Sequence, residues 1–268
     1  MAPPRLYKTE AIVLRQRRLG EADRALTVYT PTHGKLEVRA KGVRKTTSRM
    51  AGHLQPLTRC QVQLAQGRAG DVVAGCQTIE SFQGLRDNLE SLSRGLYVSE
   101  LLDRMAPERV PAPAVYRLLM ETLRRLEGAG SGDPALAGER DTAVRYFEMQ
   151  LLGHSGFRPE LESCVACGRR LRPQQNLFAP QSGGAVCLGC ASGTQATRLL
   201  SLDGLKVLRL LQRASYNEVV RVRVPPSVAG EVERHLRSYI VCILERDVNA
   251  AAFIERLRRE EPVQAVEA

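Results

Sequence analysis

The chain has 268 residues, 43% of them hydrophobic, so it can bury a sizeable core and wholesale disorder is excluded. Lys and Arg number 39 against 29 Asp and Glu, a formal charge of +10 that points to polyanions: nucleic acid, an anionic membrane surface or an acidic protein. No run of about 18 apolar residues occurs, Lys8 and Glu10 interrupt the N-terminal apolar pattern, and the seven cysteines are odd in number; we therefore expect no spanning helix, no secretory leader, and a reducing cytoplasmic setting with thiols free or metal-bound.

Residues 1–80 read as strands. Tyr7–Arg15 is rich in β-branched and apolar residues, and Ala25–Thr30 follows. The turn Pro31-Thr32-His33-Gly34 leads into Lys35–Val43, which alternates polar and apolar. Leu57–Leu64 and Val72–Ile79 complete a set of five. Five strands in about 80 residues without a helix predict a small barrel of the OB type, with an SH3-like barrel as the competing choice. The charge is concentrated here: residues 1–80 hold 14 Lys/Arg and 6 Asp/Glu, the other 188 residues 25 and 23. That asymmetry suggests a binding module joined to something else.

In the third strand Leu36, Val38 and Ala40 should face the core, and Lys35, Glu37, Arg39 and Lys41 the outside. Arg44, Lys45 and Arg49 extend the charge into a loop. A line of cations on a barrel face can track a phosphate backbone, so we take Lys35, Arg39, Lys41, Arg44, Lys45 and Arg49 as candidate DNA-binding residues. Stacking platforms are scarce, since this part has only Tyr7 and Tyr29 as aromatics and the chain has no Trp. Binding should therefore lean on phosphates and accept duplex as well as single strands.

From about residue 81 the period becomes helical. Leu89, Leu92, Leu96, Leu101 and Leu102 mark one helix. Pro113 opens a second with Val115, Leu118, Leu119, Leu123 and Leu126, and the Gly-rich run 128–132 ends it. Val144, Phe147 and Leu151 mark a third. Ser201 caps a fourth carrying Leu202, Leu205, Leu208 and Leu211. Val228, Val232, Leu236 and Ile240 mark a fifth, and Phe253, Ile254 and Leu257 a last. These stripes are read as core. The fold class is α+β: a barrel domain over 1–80, then a helical domain over 81–268 with an insertion at about 156–197 that follows neither period.

That insertion holds the sharpest chemical signal. Cys164-Val165-Ala166-Cys167 and Cys187-Leu188-Gly189-Cys190 are two Cys-x-x-Cys pairs. Each pair aims two thiolates at one point, and two pairs supply a closed tetrahedral site for one structural Zn²⁺. Four sulfur ligands leave no open position for metal catalysis. Arg169, Arg170 and Arg172 follow the first pair, with Glu160 and Glu162 upstream, and are read as a solvated face. Cys60, Cys76 and Cys242 lie in apolar patterns and are read as small buried residues. No catalytic motif is present, and His33, His53, His154 and His235 are isolated, so no enzyme activity is expected.

Several segments resemble one family in order: Tyr7–Leu14, Leu19–Arg24, Tyr29-Thr30-Pro31, Gly34-Lys35-Leu36, Ala40–Lys45, Ser48-Arg49, and Phe178–Cys187 before the second cysteine pair. Together they resemble the RecO family of bacterial recombination mediators over essentially the whole chain. The resemblance implies an OB-fold, a helical domain and, in many members, a four-Cys zinc site. It also implies ATP-independent annealing of complementary strands, and loading of the RecA recombinase with RecR on strands coated by single-stranded-DNA-binding protein (SSB). DNA, RecR and the acidic SSB tail are then the expected partners, the last two through the helical part, and a nucleoid-associated cytoplasmic location follows. From the residues alone, an RNA-binding ribosome or tRNA accessory protein and a protein–protein adaptor stay as competing classes.

Overall fold

The computed structural model describes residues 6–67, 70–128 and 134–245, together with Val248, Ala250, Ala251 and Ile254. The chain forms two compact units: residues 1–136 with 248–268, and residues 137–247.

The first unit is built on a closed five-stranded barrel. Its strands are β1 (Leu6–Leu19), β2 (Asp23–Thr30), β3 (Gly34–Ala40), β4 (Arg59–Ala65) and β5 (Asp71–Glu80), arranged β1-β2-β3-β5-β4 and back to β1. This is the expected OB-like barrel. β1 serves two partners: Leu6–Ile12 pairs with β4, and Ile12–Leu19 with β2. A register shift between Val13 and Arg15 bends it at the crossover, as a bulge does, and lets one strand turn the barrel corner. The β3–β5 contact is parallel, Val38 opposite Asp71 and Arg39 opposite Val72.

Alternation explains why these residues make strands. Leu36, Val38 and Ala40 on β3 point inward beside Leu26 and Val28 on β2 and Val62 and Leu64 on β4, all almost fully buried. Each such Leu or Val contributes about 1.5–3 kcal/mol by leaving water. Residues 41–58 form turns rather than the remainder of a strand, so the third strand ends at Ala40. Val43 and Leu54 from this segment close the barrel core. Gly34 is required by its surroundings. Its φ is +65°, and a Cβ there would sit 2.1 Å from the carbonyl oxygen of Val110.

Helices α1 (Gln83–Arg86), α2 (Leu89–Met105) and α3 (Pro113–Gly128) belong to the same unit. Asn88 caps α2, its side chain accepting from the Ser91 amide at 2.9 Å. The leucine stripe expected to bury α2 is its buried face only at the C-terminal end, through Leu101 and Leu102. Leu89 and Leu96 are 54% and 36% exposed, whereas Ser91, Gly95, Tyr97, Val98, Leu101 and Leu102 are buried. Gly95 lets the helix approach closely: a Cβ would meet Leu57 at 3.0 Å and Leu85 at 3.1 Å. Helix α3 buries the expected face and is tied down by polar bonds. Tyr116 donates to Glu10 at 3.3 Å, and Arg124 forms a two-pronged bond with Glu80 at 2.8 and 2.9 Å. Arg124, with Arg59, holds the Glu80 carboxyl below the usual carboxylate range against the opposing effect of burial.

The second unit contains most of α4 (Pro134–His154), then α5 (Leu202–Arg213), α6 (Tyr216–Val219) and α7 (Pro226–Leu244). Ser201 caps α5 as expected, accepting from the Gly204 amide at 2.9 Å and donating to Glu231 of α7 at 2.7 Å. The 156–197 block holds secondary structure the period did not reveal. β6 (Asn176–Ala179) is the centre of a three-stranded sheet with β7 (Gly184–Val186) and β8 (Arg198–Leu200), the last just past the expected limit. Phe178 of β6 packs edge-on against Tyr239 of α7, with ring centroids 5.8 Å apart. The expected last helix falls mostly outside the described residues, though Ile254 is helical and buried. The Gly-rich run after residue 128 lies outside them too. No helix among the described residues is long and apolar enough to cross a membrane.

Candidate metal centre and DNA-binding face

The metal centre is set up by two turns and a hairpin. Gly168, at φ +70°, reverses the chain after Cys167, and its amide bonds the Cys164 carbonyl at 2.8 Å. The returning strand pairs back: the Cys164 amide reaches the Arg169 carbonyl at 2.8 Å, and the Leu171 amide reaches the Glu162 carbonyl at 2.9 Å. Gly184 admits the backbone of Glu160, whose oxygen would lie 2.2 Å from any Cβ there. The second knuckle then falls opposite the first. The Val165 amide bonds Ala185 at 3.0 Å, and the Cys187 amide donates to the Cys164 sulfur at 3.3 Å.

All four expected ligands converge. The Sγ atoms of Cys164, Cys167, Cys187 and Cys190 lie within 4.8 Å of one another, and Cys167 and Cys187 are 3.9 Å apart. Zinc–sulfur bonds of about 2.3 Å in a tetrahedron place sulfurs about 3.8 Å apart, so the donor set fits one Zn²⁺. Arg169, donating from Nε at 3.5 Å, favours the thiolate at Cys167. A divalent cation among the four sulfurs would favour the thiolate at every position.

The remaining cysteines stay out of this chemistry. Cys60 is fully buried in the barrel, and its thiol is pushed up to about 12 by that burial; Cys76 and Cys242 are half-buried.

The cationic residues of the barrel divide into two groups. Arg39, Lys41, Lys45 and Arg49 are exposed and have no carboxylate partner among the described residues. Lys35 does not share their openness, contrary to the alternation argument. Its side chain is only 14% exposed and pairs with Asp103 of α2 at 3.6 Å. The cause is the segment after α2, which runs beside the start of β3, the Arg109 amide bonding the Lys35 carbonyl at 2.9 Å. Arg44 is also committed. Its guanidinium donates to the carbonyls of Gly20 and Glu21 at 3.1 and 2.8 Å, clasping the β1–β2 turn. Lys41 sits in the turn beyond the strand end.

The structure adds cations that the sequence reading passed over. Register places Arg17 on β1 and Arg39 on β3 either side of Ala25, in one row across three strands. Arg18 and Arg24 face each other one step nearer the rim. Arg15 pairs with Asp103 at 3.0 Å, Arg24 with Gln16 at 2.6 Å, and Arg17 with Glu37. The run Arg15-Gln16-Arg17-Arg18 was the available signal. Neither barrel tyrosine is an open stacking platform: Tyr29 is buried, and the Tyr7 hydroxyl is bonded to Asp71 at 3.0 Å.

A cationic OB-like barrel joined to a helical unit with a four-cysteine centre defines a class of nucleic-acid-associated protein. Residues 1–82 match the family described as Recombination protein O N terminal, and residues 86–251 match Recombination protein O C terminal. The chain is 36% identical over 258 residues to the DNA repair protein RecO of Dehalococcoides mccartyi strain BAV1, covering 96% of this chain and 98% of that one. It is 37% identical to DNA repair protein RecO of Roseiflexus sp. strain RS-1, covering 95% and 87%, and 34% identical to that of Pelotomaculum thermopropionicum, covering 94% of each. The chain belongs to the RecO family of DNA repair proteins.

Proposed function

We propose that the chain is a non-enzymatic recombination mediator. It binds single- and double-stranded DNA through the outer face of β1–β3 and the loop that follows, and it anneals complementary strands. With RecR it helps load recombinase on SSB-coated DNA at the nucleoid. The helical part and the zinc unit carry the contacts to RecR and to the acidic SSB tail, and one structural Zn²⁺ occupies the four cysteines.

The observation that carries this reading is the set Arg39, Lys41, Lys45 and Arg49: exposed, on one strand and its continuation, and without carboxylate partners among the described residues. Such cations release condensed counterions from a phosphate backbone, so affinity falls steeply with salt. Arg17 adds to the row only when a phosphate displaces Glu37 from it.

The test is a binding and annealing series across salt with Arg39→Glu combined with Lys45→Glu. We expect at least a tenfold loss at low salt, about 1.4 kcal/mol, and a salt slope shallower by about 1.4 on single strands. A folded variant with the affinity and slope of the parent overturns the assignment. Equal annealing of RNA and DNA at matched salt would favour an RNA-binding role instead.

A further inference from the structure

The zinc unit has an unusual charge composition. From Ser163 to Leu202 there is no Asp or Glu, and there are four arginines: Arg169, Arg170, Arg172 and Arg198. A merely solvated face normally mixes signs. The acids that border this segment in sequence, Glu160, Glu162 and Asp203, form no ion pair with its arginines among the described residues; Asp203 pairs with Lys206 at 3.0 Å. The Glu160 carboxylate accepts the amides of Glu162 and Ser163 at 2.7 and 2.8 Å. The Glu162 carboxylate is held by Arg209 at 3.0 Å and Arg213 at 2.7 Å on α5.

All four arginines are exposed, and none has a carboxylate partner among the described residues. Their backbone is fixed. Arg170 and Arg172 flank Leu171, which is buried, on the returning strand of the knuckle hairpin. Alternate residues of an extended strand point the same way about 7 Å apart, so these two guanidiniums share one face. Arg169 leans on the Cys167 sulfur, which offsets part of the charge of the thiolate centre. Gln174 and Gln175 continue the exposed edge with further donors.

We propose that the hairpin strand Arg169–Arg172, with Arg198, is a second phosphate-binding surface that takes a single strand of DNA. Guanidiniums on a hydrogen-bonded hairpin whose one acid, Glu162, is held by Arg209 and Arg213 suit bidentate contacts to phosphodiesters, and no aromatic is needed for that. Annealing requires one protein to handle two strands. A second site on a separate unit supplies that capacity within one chain. The inference rests on the DNA-annealing reading above but uses none of the barrel residues.

The experiment uses the full chain carrying Arg170→Glu and Arg172→Glu, with zinc content and the thermal melt checked against the parent. Arg170→Lys with Arg172→Lys is the charge-preserving control. The probes are a short oligothymidylate for binding stoichiometry and a complementary oligonucleotide pair for annealing rate. We expect the parent to bind two oligothymidylates per chain at low salt and the reversal variant one. Its annealing rate should fall at least tenfold, while its tighter binding constant changes less than threefold; the Lys control should keep two sites. Parental stoichiometry and annealing in a zinc-loaded reversal variant overturn the proposal. So does unchanged DNA behaviour with lost binding of an acidic peptide, which would assign the surface to a protein. If Arg39→Glu with Lys45→Glu leaves DNA binding intact while the zinc-unit reversal removes it, the barrel assignment fails and this one stands.

Discussion

Lys35 and Arg39 lie four residues apart on β3, yet their charges have different neighbours. The Lys35 ammonium is held by the carboxylate and the carbonyl of Asp103 on α2, whereas the Arg39 guanidinium is exposed and without a carboxylate partner among the described residues. Removing the first should therefore cost stability, and removing the second should cost affinity. We expect Lys35→Ala to lower unfolding free energy by about 1–2 kcal/mol in urea titrations, Asp103 keeping Arg15 as a partner, with DNA affinity nearly unchanged. Arg39→Ala should show the reverse pattern, with an unchanged urea midpoint and weaker, less salt-dependent binding. Alternation placed Leu36, Val38 and Ala40 in the core correctly, but it did not give Lys35 its cover or end the strand before Lys41. It had no means of seeing Asp103, which is 68 residues away and reaches Lys35 only through the fold.

Among the elements, the knuckle hairpin and the β6–β8 sheet depend most on something outside their own packing. These strands are three or four residues long, so each makes few ladder bonds, although β6 and β7 are buried throughout. Metal binding is then part of the folding of the unit. Replacing Cys164 and Cys167 with Ser should reduce zinc from one ion per chain to none by elemental analysis and lower the melting temperature. Chelation of the parent protein should reproduce the shift. The cysteine spacing made the four ligands legible because a closed thiolate site imposes that spacing directly. The strands around it were not legible, because three residues provide barely one alternation. The face of α2 was misread for a different reason. Leu101 and Leu102 are buried as expected, but before them the buried side includes the small residues Ser91, Gly95 and Ser99 with Tyr97 and Val98, while Leu89 and Leu96 are exposed. Hydrophobic periodicity finds a helix by its leucines but cannot tell which face touches a neighbour when glycine makes the contact.

At the scale of the whole chain, the first unit is discontinuous. Val248, Ala251 and Ile254 are buried, and the Ala250 amide bonds Glu100 of α2 at 2.8 Å, so residues beyond 247 complete a unit begun at the N-terminus. A chain truncated after Asp247 should lose stability in its barrel unit, read as a lower midpoint for that transition, and expose apolar surface to a dye such as ANS. The four-cysteine centre should still bind zinc in that truncation, because its ligands all lie in the intact second unit.

The same discontinuity sets the order of events during synthesis. The five barrel strands emerge within the first third of translation, but the residues that finish their unit follow the entire second unit. At about 5–20 residues per second, the delay between residue 136 and residue 248 is roughly 6–20 s. For that interval the first unit lacks Val248, Ala251 and Ile254, which are buried in the finished chain. The second unit, including its metal centre, can mature before the first is sealed.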